Sequence, residues 1–532
     1  MPITARIALA SLLVGLVGCR ENSCIDGECP LPCESQIYAG CADGPARYAG
    51  RLGDAPVQLR LRYGNGGAND IMLSNGYVTA VFSALDEPND LAPTGGNLID
   101  FGTPGGIDDT TLTYQLAGIL PDDAFAYQTI DFHSDTELAS VTVRGTLAGR
   151  PDVKVVTHYV LRACESYLRV RSELFNGSAD KQAFFIADAM HWGKRRIVPF
   201  APVNGQGYAQ PKLKLLELSD QWSPFDFAAG VDPSNDGPSY AAMSCSTKPL
   251  YGVNDLEISA LGTPMQYVEP GDSMALERLL FVGGFGQGGA PVIDNVLVER
   301  AQRFGAPTQS VTGRIVAGGL PFGGDIRRAS IVIRQGDRAL TSVIPKEDGT
   351  FRATVEATGD VTTEVWSFGR KVVEKTGTAL GDIEVDEPAT VQLTVETITN
   401  GNRRDPAWAI VAFAPDDEPT REASTGTFHT RLKECAPWLG PPDGSSPACN
   451  HVIVAPQGTD VEVPAGNYVV IASAGPEYGV DIEHVHLQPG EITPVDIDIE
   501  KLDLVPPGWL SADLHVHGRA SFDSGIPDED RV

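Results

Sequence analysis

The chain has 532 residues, 42% of them hydrophobic, and its 70 acidic side chains against 40 basic ones leave a formal charge of −30. The length exceeds one ordinary domain and predicts about three or four. The apolar content excludes a disordered chain, and the negative field argues against nucleic acid as a partner. With 57 Gly, 39 Pro and few long helical patterns, the expected class is mainly β and multidomain, built of short strands joined by turns.

At the N-terminus, Arg6 precedes an apolar run from Ile7 to Val17. That run is too short to span a bilayer and fits the core of a signal peptide. Its end, Leu16-Val17-Gly18-Cys19, resembles the lipobox of bacterial lipoproteins. The resemblance implies a signal peptide over 1–18, lipidation of Cys19 and a lipid anchor in the membrane. Arg20 in place of an aspartate implies the outer membrane of the cell envelope. An ordinary signal peptide with a cysteine by chance is the other reading. No later segment is long and apolar enough to cross a membrane.

Eight of the nine cysteines remain after Cys19. Cys24, Cys29, Cys33 and Cys41 crowd a Cys-rich tether over 19–49. In an exported chain they read as disulfides, with three pairings open. Zinc is the weaker reading, because paired Cys-x-x-Cys elements are missing. Cys164 and Cys245 stand alone. Cys435 and Cys449 flank a loop and are expected to bond to each other.

Residues 50–305 alternate apolar and polar positions, the signature of sheets with one buried face. Tyr77–Phe82 follows the turn Ser74-Asn-Gly76; Val153–Leu161, Tyr167–Leu174, Ala183–Ala187 and Leu279–Val282 read as further strands. Leu73-Ser-Asn-Gly-Tyr-Val78, Gly95-Gly-Asn-Leu-Ile-Asp-Phe101, Leu174-Phe-Asn-Gly-Ser178 and Asp188-Ala-Met-His-Trp-Gly193 resemble the galactose-mutarotase-like supersandwich domains. That resemblance implies that His191 and Trp192 face a sugar. The alternative is a Trp192 packed inside the sandwich and a His191 satisfied by backbone.

Two smaller β units follow, over 306–395 and 396–505. In the first, Val311–Val316 and Ala329–Arg334 are strands, and Glu347-Asp-Gly-Thr-Phe351 is a turn feeding a third. Gly supplies the permissive turn and Phe351 buries itself. The order resembles the carboxypeptidase-regulatory-like, prealbumin-type sandwich. In the second, Trp408–Phe413, Val461–Ala472 with its Pro464-Ala-Gly-Asn-Tyr468 turn, and Val495–Ile499 repeat the theme.

His-Val-His occurs twice, at 484–486 and 515–517. Histidines one residue apart on a strand share a face, so either pair has the geometry to hold one metal ion. His484 and His486 sit in an alternating strand that ends at Gln488-Pro-Gly490, with Glu483 on the opposite face; an exposed strand carrying imidazoles is the expectation. His515 and His517 follow Trp509-Leu-Ser-Ala-Asp-Leu514 and precede Arg519-Ala-Ser-Phe-Asp-Ser-Gly525. This stretch resembles the opening of the PHP (polymerase and histidinol phosphatase) metal-dependent hydrolases, whose first strand carries Asp-Leu-His-x-His. The resemblance implies that 506–532 begins a PHP (β/α) barrel, with His515 and His517 as ligands of a divalent metal (zinc, manganese or iron), Asp513 as an anchor for an imidazole and Asp523 as a nearby acid. Gly518 departs from the serine common in that family.

The remaining ligands of that family do not fall within the 15 residues after His517, so the chain as given is expected to be catalytically incomplete. Two functions are carried forward. One is an exported lipoprotein bearing the start of a metal-dependent phosphoesterase, with a phosphoester substrate. The other is a non-catalytic lipoprotein of β-sandwich modules that binds glycan or a surface.

Overall fold

A computed structural model describes residues 23–25, 27–34, 47–88, 91–108, 110, 112–118, 121–191, 198–204, 207, 223–232, 238–254, 259–283, 290–399, 401, 403–423, 437–440, 450–506 and 508–512. These residues form a mainly β, multidomain protein, the class the alternation predicts. Residues 48–282 build two facing antiparallel sheets of nine and eight strands. Alternation decides which side chains lie between them. Val153, Val155, Tyr159 and Leu161 from Arg150–Arg162 meet Leu73, Ala80 and Phe82 from the opposite sheet in one core.

Buried among these apolar groups is a ring of polar ones. Asp188 lies on Ala187–His191 in the nine-stranded sheet, and Arg278 on Ser273–Val282 in the eight-stranded sheet. Arg278 Nε donates to Asp188 Oδ2 at 2.7 Å and Nη2 donates to Oδ1 at 2.5 Å. Arg278 Nη1 also donates to Ser172 Oγ at 2.9 Å, and Ser172 and Thr157 hydroxyls meet at 2.9 Å. Thr157 meets Tyr127 Oη at 2.7 Å, Tyr127 donates to Gln115 Oε1 at 2.6 Å, and Gln115 Nε2 donates back to Asp188 at 2.9 Å. All six side chains are buried, so each charge and each hydroxyl is satisfied inside the ring, as burial demands.

The outer face of the eight-stranded sheet carries charge too, and residues 23–25 and 27–34 lie on it. Ser23 Oγ and Cys24 N–H donate to Glu173, Cys33 N–H donates to Glu277, and Arg169 donates to the carbonyls of Pro32 and Cys33. Cys24 bonds to Cys29, and Cys33 bonds to Cys245, 212 residues away. Cys164 is disulfide-bonded as well. The expectation that Cys164 and Cys245 stand alone is therefore corrected: the N-terminal cysteines are not a closed set. The reason is the strap itself, which brings Cys33 beside Cys245 by satisfying the carboxylates of the sheet face.

The helix α1, Ala290–Phe304, was not expected from the sequence. Its Val292, Ile293, Val296 and Leu297 form one apolar stripe that clusters with Phe227, Met243, Leu279 and Phe281 of the large sandwich, and the helix also packs on the strands Arg338–Val343 and Thr350–Glu356 of the next module. Arg300 adds an ion pair to Glu356 at 2.7 Å.

Two small sandwiches follow with the same topology. In the first, Thr308–Ala317 pairs antiparallel with Thr350–Glu356 and parallel with Ala379–Val385; in the second, Ala389–Thr399 does the same with Thr459–Val463 and Ile492–Glu500. The facing sheets match as well, with Ser330–Gln335 and Ala409–Pro415 as the equivalent inner strands. One apolar core runs through both modules. Phe351 and Tyr468, the aromatic residues of the two turn motifs, are buried in it, and burial pushes the Tyr468 phenol up to about 12.

Candidate functional site

Of the residues singled out from sequence, Cys19, Cys41, Trp192, Cys435, Cys449, Asp513, His515, His517 and Asp523 lie outside the described residues. Three histidines can be placed. His484 and His486 are exposed on Val480–Leu487, as expected for a solvated strand face. His484 Nδ1 lies 2.7 Å from Asp416 Oδ2, and His486 Nδ1 lies 2.6 Å from Asn467 Oδ1. Their Nδ1 atoms are thus engaged with separate partners. Among the described residues no group of three His, Cys, Asp or Glu side chains is placed to hold a metal ion.

His191 ends the strand Ala187–His191, in register with Leu112 and on the sheet face opposite Asp188. It is buried, and its Nε2 has no hydrogen-bond partner among the described residues. Burial pulls its pKa down to about 4. His158, on the outer face of the eight-stranded sheet, falls to about 4 as well, through burial first and the nearby Arg144 second.

Both histidines are neutral in the fold at pH 7, whereas the unfolded chain takes up their protons near pH 6.5. Their contribution to stability is whole above that value and is lost as pH falls toward about 4. The expected loss is about 2 kcal/mol for each histidine by pH 5. Denaturant unfolding of wild type and His158→Gln at pH 7 and pH 5 checks this: the variant should lose less stability on acidification, and an equal loss contradicts it.

A cleft of ligand size sits between the small sandwiches. It measures about 520 Å³ and is lined by Arg327, Arg328 and Phe368 from the first module and by Trp438, Asp460 and Glu462 from the second. Arg328 Nε meets Glu462 Oε2 at 2.8 Å across the junction, and Arg327 pairs with Asp325 while donating to the Leu439 carbonyl at 2.9 Å. Phe368 holds a positive φ of 48°, an uncommon conformation for a bulky residue. It is pinned there because its N–H donates to the Arg327 carbonyl at 2.6 Å and its carbonyl accepts from Trp438 N–H at 3.0 Å. Domain junctions with fixed polar groups beside an apolar wall are common places for small-molecule sites.

None of these lining residues was flagged by the sequence. The only local signal is the pair of adjacent arginines at 327–328, and its carboxylate partner at 462 is 134 residues away.

No protein-family model matches the chain, and no curated protein matches it. Solved structures resemble it in part. One is a galactose mutarotase-like protein from Lactobacillus casei, at 8% identity and a TM-score of 0.26, over 40% of this chain and 100% of that one. Another is a GH36 alpha-galactosidase from Geobacillus stearothermophilus, at 9% identity and a TM-score of 0.31, over 47% of this chain and 45% of that one. A third is a TPR-domain containing protein from Parabacteroides distasonis, at 11% identity and a TM-score of 0.30, over 45% of this chain and 53% of that one. The chain spans about half the length of the last two. Likeness at this level carries no argument about activity, so function has to be argued from the sites themselves.

Proposed function

We propose that this chain is an exported, lipid-anchored binding protein whose β-sandwich modules hold carbohydrate in the cleft between the two small sandwiches. The cleft itself carries the reading. Its two guanidinium–carboxylate pairs offer donors and acceptors fixed by their partners, which suits a ligand dense in hydroxyls, and Phe368 offers an apolar wall. Asp460 is exposed at the rim and free to accept from a hydroxyl.

A glycan array probed with the full chain tests the reading. Wild type should bind a defined subset of glycans, and Asp460→Ala should weaken binding by about tenfold, the cost of one hydrogen bond to a charged group. Binding that Asp460→Ala leaves intact, or no binding at all, sinks the proposal. The anchor has its own test. Cys19→Ala should move the protein out of the membrane fraction, and a variant that stays membrane-bound rules out the lipobox.

One observation favours a second reading. Asp513-Leu-His-Val-His517 remains similar to the first motif of PHP hydrolases, which supports a metal-dependent phosphoesterase module beginning at 506. His515 and His517 would supply two ligands, and further residues must supply the rest. Metal analysis of protein purified from its native membranes separates the readings: stoichiometric metal lost in His515→Ala supports the hydrolase, and metal-free protein removes it.

A further inference from the structure

The two small sandwiches share a topology but not a fate for the equivalent sheet face. In the first module, the outward side chains Val332 and Trp366 are buried in one apolar cluster with α1, the large sandwich and Trp438 of the second module. In the second module the corresponding side chains are exposed among the described residues. Ile410 stands opposite Ile453, and Ile471 opposite Ile482, with Val480 one position along and Trp408 at the rim. These six range from 38% exposed at Ile471 to 62% at Val480. A continuous apolar surface on a sheet face is an interaction site by default.

The path of the chain says what covers it. After Ile492–Glu500 the chain forms a bridge from Lys501 to Tyr478, and Leu502 N–H donates to the Glu477 carbonyl at 2.8 Å. It therefore leaves the module two residues from Val480, at the border of the open face. The next residues keep apolar side chains in water: Leu504, Trp509 and Leu510 are all exposed. Beyond them, residues 513–532 contribute Leu514, Val516, Phe522 and Ile526.

We infer that the open face of the second small sandwich is the docking surface for the stretch of chain that follows it, residues 513–532. The repeat supplies the precedent, since the first module uses the same face to seat the neighbour that precedes it in the chain. The inference does not rest on the glycan reading, although the open face shares Ile453 with the lining of the cleft.

A photo-crosslinking residue in place of Ile471, introduced into the full chain, provides the test. Irradiation followed by peptide mapping should give intrachain cross-links to peptides within 513–532. In the same background Ile482→Asp should lower their yield by about tenfold, because a charge is set against an apolar contact. Ile482 is solvent-exposed, so this substitution leaves the fold in place. Cross-links to a second copy of the chain, cross-links to other segments, or none at all would overturn the inference.

Discussion

Arg278→Ala is expected to destabilise the large sandwich by about 3–5 kcal/mol, because it leaves the Asp188 carboxylate buried without its counter-charge. The loss does not stop at the ion pair. Ser172, Thr157, Tyr127 and Gln115 are linked in one ring of hydrogen bonds that starts and ends on these two residues, so removing Arg278 leaves several buried groups short of a partner. Asp188→Ala should cost a similar amount by stranding the guanidinium. The double change Asp188→Leu with Arg278→Met removes both charges and should recover much of the loss, since a buried pair often breaks even against apolar groups of similar volume. Thermal and denaturant unfolding of the three variants measures this. Additive losses in the double variant contradict the account, because they mean that the two residues act separately.

Cys33→Ser should have the next largest effect. Its disulfide to Cys245 closes a loop of 212 residues, which in the chain-entropy account restrains the unfolded state by about 5 kcal/mol. The bond also holds the strap on the sheet, where Arg169 and Arg303 donate to the Cys33 carbonyl and Glu277 accepts from its N–H. Limited proteolysis should therefore cut the variant within 23–34 at a protease concentration that spares the wild type. Equal resistance would show that the polar contacts hold the strap without the disulfide.

The elements legible in the sequence were those encoded locally. Alternation over Val153–Leu161 and Tyr167–Leu174 predicted the strands found at Arg150–Arg162 and Tyr167–Asn176. The turns before Tyr77 and Thr350 were marked by Gly76 and Gly349, which adopt positive φ of 82° and 76°. The solvated strand of His484 and His486 followed from its own pattern. What stayed hidden depends on distant partners. Asp188 and Arg278 are 90 residues apart, and nothing local distinguishes them from surface charges. The Cys33–Cys245 pair was missed because the cysteines near Cys33 suggested closer partners. The helix α1 was missed because its stripe of Val292, Ile293, Val296 and Leu297 is short and sits within a strand-rich region. The cleft has no sequence signature because it exists only where two modules meet.

The most direct test of the binding account is hydrogen–deuterium exchange on the full chain, with and without a saturating oligosaccharide chosen from the array. The account predicts slowed exchange in 325–328, 368–369 and 459–462, the segments that line the cleft, with little change in the large sandwich. Protection that leaves these segments unchanged and falls instead around His191 would place the ligand on the large sandwich and contradict the assignment of the cleft.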